Sequence, residues 1–214
     1  MGGERAVKAF QEVRRTGLLR TMRRLRRNVR EHGVGGTIRR VGWAAGRTYR
    51  WYCLELRSVV DFPLPQGLEL RAAGFDDVDV YSHLTRLGPN LVRARIDAGG
   101  RLYIAFDGEQ PAFACWIFSH RTPFGEAPDG WLELPAGTAC LEDSVTAPDH
   151  RGGGIAPAVW SAIARRLETE EMDRLLTKVR EDNVATQRAL AKVGFVALKP
   201  DDEFRCHLAR QIRG

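Results

Sequence analysis

The residues with the clearest chemical potential lie in the segment Leu141–Trp160, LEDSVTAPDHRGGGIAPAVW. A strand pattern runs to Pro148, an Arg-Gly-Gly-Gly turn follows at residues 151–154, and a helical pattern begins directly after it. Three successive glycines lack the β-carbons that would keep a ligand away from the backbone, and they permit positive φ. The first N–H groups of a helix carry partial positive charge and bind anions. The segment therefore predicts an anion pocket suited to a diphosphate.

Two common phosphate-binding motifs do not match this turn. A P-loop requires a Lys followed by Ser or Thr after its last glycine, whereas Ile155 and Ala156 stand there. The dinucleotide-binding fingerprint requires a third glycine at the position that Pro157 occupies. Proline in the first turn of a helix costs little, because its missing N–H would have no partner there. The turn is therefore predicted to be neither a P-loop nor a dinucleotide-binding turn.

The elements around the turn follow a mixed α/β order, so the fold class is predicted to be α/β (α+β). Strands are predicted at residues 68–73, 101–108, 111–120, 137–147, 175–180, 195–199 and 204–208. Helices are predicted at residues 76–84, 153–170 and 184–193, and a Pro- and Gly-rich loop at 121–131. The glycine turn thus joins a strand to a helix in the second half of the domain.

The first 60 residues differ sharply in charge from the rest. Residues 1–60 contain 15 Lys and Arg against 4 Asp and Glu, a net charge of +11, whereas residues 61–214 have a net charge of −5. Apolar residues recur at helical spacing through residues 6–29, and a second helical pattern runs from Ile38 through Tyr49 and Tyr52. The sequence predicts a basic helical extension over residues 1–60, a linker over 61–67 and one domain over 68–214.

Composition excludes several classes of protein. With 43% hydrophobic and 28% charged residues, the balance is that of a globular protein and not of a disordered or collagen-like chain. No window approaches eighteen consecutive apolar residues, and no secretory signal follows Met1. The 4 cysteines include no CxxC pair, so neither a metal site nor a disulfide framework is expected. The expected location is the cytoplasm.

Two segments together resemble the GNAT superfamily of acyl-CoA-dependent N-acyltransferases. Residues 151–156 match the superfamily's R-x-x-G-x-G/A signature, with the usual proline three residues earlier at Pro148. Asn183 follows a predicted strand and precedes a predicted helix that ends at Gly194-Phe195, which matches a second signature. The resemblance covers about residues 68–208. It implies a mixed, mostly antiparallel sheet flanked by helices, in which the strands predicted at 137–147 and 175–180 splay apart to admit acyl-CoA.

The resemblance also implies which residues contact acyl-CoA, with acetyl-CoA or another acyl-CoA as cosubstrate. Pantetheine would pair with backbone groups of the strand before the turn, and the pyrophosphate would lie on the amides of the turn itself. Asn183, after the next predicted strand, would lie against the pantetheine or thioester end. The implied acyl-CoA-binding residues are Ser144, Val145, Thr146, Arg151, Gly152, Gly153, Gly154, Ile155, Ala156 and Asn183.

Catalysis in this superfamily is direct attack of a neutral amine on the thioester, so a general base is useful. Similar enzymes frequently place a Glu nine residues before the signature Arg, which implies Glu142 as the base, with Asp143 the weaker candidate. Strand alternation places Glu142 on the same face as Cys140, Ser144 and Thr146. Many members carry a Tyr that protonates the leaving thiolate seven residues after the Asn. Leu190 stands there, so the proton donor is not assigned.

Together these features predict an enzyme that transfers an acetyl or other short acyl group from acyl-CoA to a primary amine of a small molecule or protein, in a ternary complex. The alternative, motivated by Leu190, is a non-catalytic acyl-CoA-binding or scaffold protein. A homodimer is expected by analogy with the family. The basic residues 1–57 are predicted to dock on an acidic acyltransferase domain or, as a second choice, on an anionic membrane surface. Nucleic acid is the least favoured partner, because the arginines lack interleaved aromatic residues.

Overall fold

The computed structural model describes residues 49–85, 87–124, 127, 130–199, 201, 202, 204, 206, 207 and 211. The strands in these ranges are β1 (Tyr49–Glu55), β2 (Leu68–Ala73), β3 (Arg101–Asp107), β4 (Gln110–Phe118), β5 (Arg121–Pro123), β6 (Trp131–Glu133), β7 (Thr138–Thr146), β8 (Arg174–Arg180) and β9 (Val196–Ala197). The helices are α1 (Val78–Thr85), α2 (Pro89–Asp97), α3 (Ile155–Thr169) and α4 (Val184–Val193).

Seven of the strands form one sheet in the order β2-β3-β4-β7-β8-β1-β9, and β5 pairs with β6 in a separate hairpin. All neighbouring strands of the large sheet are antiparallel except β7 and β8, which are parallel. The crossover between β7 and β8 contains the glycine turn and α3, as a parallel connection requires. The prediction of a mixed, mostly antiparallel sheet flanked by helices is therefore confirmed.

The central strands are buried on both faces, so both faces need a covering layer. In β3, Tyr103 and Ala105 belong to the core under α3 and α4, whereas Leu102 and Ile104 belong to the core under α1 and α2. We call these two sides of the sheet the α3 face and the α1 face. The β5–β6 hairpin covers the remaining part of the α1 face, over residues of β7 and β8. Within the described ranges, no helix has both the length and the apolar character to cross a bilayer.

Segments with a clear local pattern adopt the predicted structure. The predicted helix at 184–193 is α4, and the predicted strand at 68–73 is β2. The predicted hairpin is formed by β3 and β4, and the predicted strand at 137–147 is β7. The predicted helices at 153–170 and 76–84 correspond to α3 and to a short 3-10 turn followed by α1.

The helical pattern predicted through Tyr49 and Tyr52 is wrong at these residues. They belong to β1, which pairs with β8 along its whole length and with β9 on its other side. Trp51, Tyr52 and Leu54 are buried because both faces of β1 are covered: Trp51 packs in the core under the β5–β6 hairpin, and Tyr52 and Leu54 pack in the core under α3 and α4. The sheet therefore includes residues that the sequence assigned to the basic extension. Residues 56–60 of that extension are also described and begin with a 3-10 turn at Leu56–Ser58, whereas residues 1–48 lie outside the described residues.

Three further segments differ from the prediction. The ends of the predicted loop at 121–131 form the β5–β6 hairpin. The second predicted C-terminal strand is wrong, because residues 204, 206 and 207 are helical: the Asp202 carboxylate accepts a hydrogen bond from Phe204 N–H at 2.9 Å, as a helix cap does. Helix α2 was not predicted, although Gly88-Pro89 is a typical helix start, with proline in the first turn.

The predicted linker at 61–67 has no helix or strand, but it is bound to α3. Phe62 N–H donates to Ser161 Oγ at 3.1 Å, and Arg165 Nε lies 2.7 Å from Asp61 Oδ1. Ser161 Oγ in turn donates to Val60 O at 3.0 Å. The segment therefore runs along the side of α3 and connects β1 to β2 across the domain.

Candidate active site

Strands β7 and β8 separate halfway along their length. Their parallel pairing covers Thr138–Leu141 and Arg174–Thr177. Beyond these residues β7 remains paired with β4, and β8 remains paired with β1. Past this point the two strands no longer pair with each other, which leaves space for an extended ligand to pair with the backbone of either strand. The separation that the resemblance implies is thus present, and we call the space the wedge.

A β-bulge lies on β7 directly after the strands separate. Ala114 pairs with Val145 and Trp116 with Glu142, so Cys115 alone faces the two residues Asp143 and Ser144. The backbone of Asp143 has a φ of 46°, the left-handed region, which is uncommon for a residue with a side chain. The extra residue in a bulge interrupts the regular alternation of side chains.

The bulge corrects one prediction about Glu142. Cys140 does share a face with Glu142, since Cys140 Sγ lies 3.4 Å from Glu142 Oε1. Ser144 and Thr146 lie on the other face: Ser144 Oγ is bonded by Trp160 of α3, and Thr146 pairs with Phe113 of the core under α3. Alternation fails here because the extra residue reverses the side to which the strand points.

The glycine turn lies at the open end of the wedge. Gly152 and Gly154 have φ values of 85° and 75°, and a β-carbon added at either would meet nothing within 4 Å. Helix α3 begins at Ile155, and its N-terminus has no side-chain cap. In the first turn of the helix, Ala158 N–H donates to Gly154 O at 3.2 Å. The N–H groups of Ile155 and Ala156 come before this bond and have no acceptor within the helix.

The surroundings of the turn suit an anion. Arg151 is exposed, and its Nε donates to Thr146 O at 3.4 Å, which ties the turn back to the end of β7. A cavity of about 270 Å³ lies beside the turn, with Arg151, Gly153 and His150 in its lining together with the carboxylates of Asp107 and Asp149. A larger cavity of about 590 Å³ lies at the opposite end of β7 and β8, next to Thr138 and Arg174. The glycine turn has no part in that second cavity.

Glu142 lies at the first position after the strands separate and is engaged in a buried ion pair. Lys178 Nζ of β8 lies 2.6 Å from Glu142 Oε1, and Thr122 Oγ1 donates to the same oxygen at 3.2 Å. Cys140 is the third donor to Oε1, and none of the three reaches Oε2. The carboxylate is only 8% exposed. The predicted base is therefore at the wedge, with one oxygen occupied by donors from the protein.

Lys178 is a residue of this site that the sequence did not predict. Its ammonium group also donates to Pro123 O at 3.1 Å and lies 5.5 Å and 5.3 Å from the ring centres of Trp51 and Phe124. Burial alone would lower the pKa of Lys178, but the Glu142 carboxylate, together with Cys140 and Asp143, raises it above its ordinary value. A signal existed: in LLTKVR, a lysine interrupts an otherwise apolar run in a predicted central strand.

The thiol next to Glu142 is not a nucleophile. Cys140 is completely buried, and burial, reinforced by the Glu142 carboxylate, raises its pKa well above the ordinary value. The group is therefore a neutral S–H at physiological pH, and it donates to Glu142.

Among the described residues, no group of three or more His, Cys, Asp or Glu side chains could hold a metal ion.

Asp143, the weaker candidate for the base, is paired with a residue of α2. Its Oδ2 lies 2.5 Å from Nη2 of Arg95, while about half of the Asp143 side chain, 49%, remains exposed. Arg95 is buried, and its guanidinium lies over the Trp116 ring at 5.5 Å. Burial opposes the charge on Arg95, but the Asp143 carboxylate raises its pKa, so the guanidinium remains charged. Both candidate carboxylates thus have a cationic partner.

Asn183 and Leu190 lie on the far side of the wedge. Asn183 is exposed at the N-terminus of α4, where its Oδ1 accepts a hydrogen bond from Thr186 N–H at 3.2 Å. Leu190 is completely buried among the core residues under α3 and α4. A hydroxyl group is therefore absent from the position where many members of the superfamily carry one.

Asn183 is predicted to stabilise α4 whether or not it contacts acyl-CoA. We expect Asn183→Ala to lower the free energy of unfolding by about 1 kcal/mol, the usual loss for a helix cap, and Asn183→Asp to retain most of that stability. Urea denaturation measures both. A loss of CoA affinity in the Asp variant would assign the amide a second role in binding, whereas equal stability of the Ala variant would contradict the cap.

Comparisons with known proteins agree with this geometry. The family model described as the acetyltransferase (GNAT) family matches residues 72–195, more than half of the chain. A GNAT acetyltransferase from Colwellia psychrerythraea is 16% identical with a TM-score of 0.52, over 70% of this chain and 52% of that one. A GCN5-related N-acetyltransferase from Sphaerobacter thermophilus is 13% identical with a TM-score of 0.52, over 76% of this chain and 53% of that one.

This chain thus spans about half the length of these two proteins, and at such identities the likeness concerns the fold alone. The BH1408 protein from Bacillus halodurans, solved as a tetramutant, is 18% identical with a TM-score of 0.50, over 63% of this chain and 97% of that one. No curated protein matches the chain. Because the family model covers more than half of the sequence, including the wedge and the glycine turn, the chain belongs to the GNAT family of acetyltransferases.

Proposed function

We propose that this protein transfers an acetyl or other short acyl group from acyl-CoA to a primary amine of a small molecule or protein. The observation that carries the proposal is the open glycine turn at the end of a strand that has separated from its parallel neighbour. The turn offers uncovered amides to a pyrophosphate, and the wedge offers space beside strand backbone to a pantetheine arm. Acyl-CoA is a ligand that has both parts.

In this proposal each predicted residue has a physical task. The backbones of Ser144, Val145 and Thr146 pair with pantetheine, and the amides of residues 151–156 hold the pyrophosphate. Arg151 adds a fixed cation beside the diphosphate. Asn183 bounds the thioester end of the ligand. A short acyl group then lies at the inner end of the wedge, beside Glu142.

The amine must lose a proton as its nitrogen forms the new C–N bond and the C–S bond breaks. Glu142 Oε2, which its three protein donors leave uncontacted, is the oxygen proposed to accept that proton, directly or through a water. The thiolate takes a proton from solvent, since Leu190 cannot supply one. The net charge of −5 on residues 61–214 favours a cationic acceptor.

The proposal is tested by incubating the protein with acetyl-CoA and panels of amino sugars, polyamines and peptides with free amines, and measuring release of free CoA. We expect at least one class of amine to raise CoA release above the rate without amine. Mass spectrometry of the purified protein for a bound CoA ester would identify the acyl chain. No release with any panel, together with no calorimetric heat on adding acetyl-CoA, would contradict the proposal.

A second candidate function is acyl-CoA binding without turnover. Two observations favour it: the buried Leu190 and the ion pair that already occupies Glu142. This candidate requires tight CoA binding and no catalysis with any amine. The role of the basic extension, predicted at residues 1–57, remains a separate proposal and is confined to residues 1–48, because β1 is part of the sheet. Docking on an acidic domain predicts no pelleting with anionic liposomes, whereas membrane contact predicts pelleting that high salt abolishes.

A further inference from the structure

We propose that Arg95 and Trp160 are positioning residues that hold the β7 bulge from its two faces and thereby keep the wedge in the geometry that binds acyl-CoA. The bulge here is Asp143 and Ser144, opposite Cys115. The inference rests on the proposed function of the wedge. Neither Arg95 nor Trp160 belongs to the glycine turn or to the Asn183 segment.

The bulge needs support from outside its own strand. Asp143 has a φ of 46°, a conformation that residues with a β-carbon rarely adopt and that persists only where the surrounding structure enforces it. Pairing with β8 cannot enforce it, because that pairing ends at Leu141. Pairing with β4 is interrupted at the bulge itself. Side-chain contacts are therefore well placed to hold the local backbone.

The first contact comes from the α1 face. Arg95 lies near the end of α2, and its Nη2 is 2.5 Å from the carboxylate of Asp143, which is 48 positions later in the chain. The Arg95 guanidinium is held in turn by its position over the Trp116 ring, and Trp116 pairs with Glu142, the residue before the bulge. An arginine in this arrangement has little freedom, so it fixes where the Asp143 side chain lies.

The second contact comes from the α3 face. Trp160 Nε1 donates to Ser144 Oγ at 3.1 Å, and the Trp160 side chain is 2% exposed. Its ring packs edge-on against Phe113, with the centroids 6.5 Å apart. Phe113 lies on β4 opposite Thr146. Trp160 is six residues into α3, so the bond links the bulge rigidly to the helix that begins at the glycine turn.

Both contacts act on the stretch of β7 that is proposed to hold pantetheine. The bulge decides that Glu142 faces one side of the sheet and Ser144 the other, and it sets the direction of the next backbone groups. A loosened bulge would tilt those groups while leaving the rest of the fold in place. Removing either contact should therefore weaken ligand binding by more than its effect on the overall stability of the domain would explain.

The test uses variants on each face in the full chain. Arg95→Gln and Asp143→Asn weaken the ion pair from its two ends, and because Asp143 is half exposed, the second variant should fold even where the first does not. Trp160→Phe removes the Nε1–H and keeps an aromatic ring. Arg101→Gln is the matched control, since it removes an ion pair of 2.6 Å to Glu170 that does not touch the bulge. Calorimetry with CoA, below the melting temperature of each variant, gives the dissociation constant.

We expect the dissociation constant for CoA to rise about tenfold in Arg95→Gln and Asp143→Asn and about threefold in Trp160→Phe, which are the effects of losing one charged and one neutral hydrogen bond. Arg101→Gln should bind as the unaltered protein does. Ser144→Ala combined with Trp160→Phe should be no worse than the weaker-binding single variant, because both remove the same bond. Lower melting temperatures with unchanged affinity would overturn the inference.

A second readout needs no ligand and separates this inference from the proposed function. Hydrogen exchange of the peptide covering residues 142–146 should be faster in Arg95→Gln, Asp143→Asn and Trp160→Phe than in Arg101→Gln. If the unaltered protein does not bind CoA, the proposed function fails, and this exchange rate alone decides about the bulge. Equal exchange in all four variants would overturn the positioning role.

Discussion

Gly153→Asp is expected to raise the dissociation constant for acetyl-CoA by about 100-fold or more, the loss expected when a negative charge replaces an open anion site. Gly153 is the best position in the turn for this experiment. Its backbone is not left-handed, and an added β-carbon would meet only His150 O, at 3.7 Å, an ordinary contact. The fold should therefore tolerate the side chain, while the carboxylate repels the pyrophosphate from the amides beside it.

Two other substitutions isolate the cause of this loss. Gly153→Asn adds a side chain of nearly the same shape as Asp without its charge, and Gly153→Ala adds only the β-carbon. Both variants should therefore bind acetyl-CoA more tightly than the Asp variant. Gly154→Asp is less informative, because the φ of 75° at Gly154 adds backbone strain to the charge effect. Calorimetric titration with acetyl-CoA, with circular dichroism to check folding, measures the series. If the Asp variant folds and its affinity for acetyl-CoA is unchanged, the glycine turn is not the phosphate site.

Glu142→Gln is expected to lower kcat for amine acetylation by about 100-fold, within the usual range for loss of a general base, with a smaller effect on acetyl-CoA affinity. The substitution also leaves the Lys178 ammonium buried without its counter-ion, and breaking such a pair costs about 3 kcal/mol of stability or more. The free energy of unfolding must therefore be measured beside the rate. An unchanged kcat would favour a carboxylate that serves only to neutralise Lys178.

The double variant Glu142→Gln with Lys178→Met separates chemistry from stability. Removing both charges should recover most of the lost unfolding free energy, because no uncompensated ion remains buried. It should not recover kcat, because the carboxylate is still absent. Recovery of both quantities in the double variant would mean that the single variant is inactive only because its site is distorted.

The parts of this site that the sequence predicts are those set by local chemistry. Three glycines before a helical pattern require an open turn at a helix N-terminus, and residues 151–156 form one. Asn183 before a helix and Gly194 after it are typical cap residues, and α4 extends between them. The predicted separation of two parallel strands came from the resemblance to a family, since nothing in either strand alone specifies it.

The parts that could not be predicted depend on residues far apart in the chain. The partner of Glu142 is on β8, and the partner of Asp143 is on α2. A bulge depends on the register between two strands, so alternation counted along β7 gave the wrong face for Ser144. The same reason explains β1: the aromatic residues Tyr49, Trp51 and Tyr52 do not by themselves distinguish a helix from a strand, and pairing with β8 decides for the strand.

The most direct test of acyl-CoA binding at the glycine turn is a crystal structure of the protein with CoA bound. We expect pyrophosphate oxygens within hydrogen-bond distance of amides in residues 151–156, and a pantetheine arm between β7 and β8 beyond Leu141. Density for CoA at the opposite end of these strands, in the cavity beside Thr138 and Arg174, with the turn and the wedge empty, would contradict it.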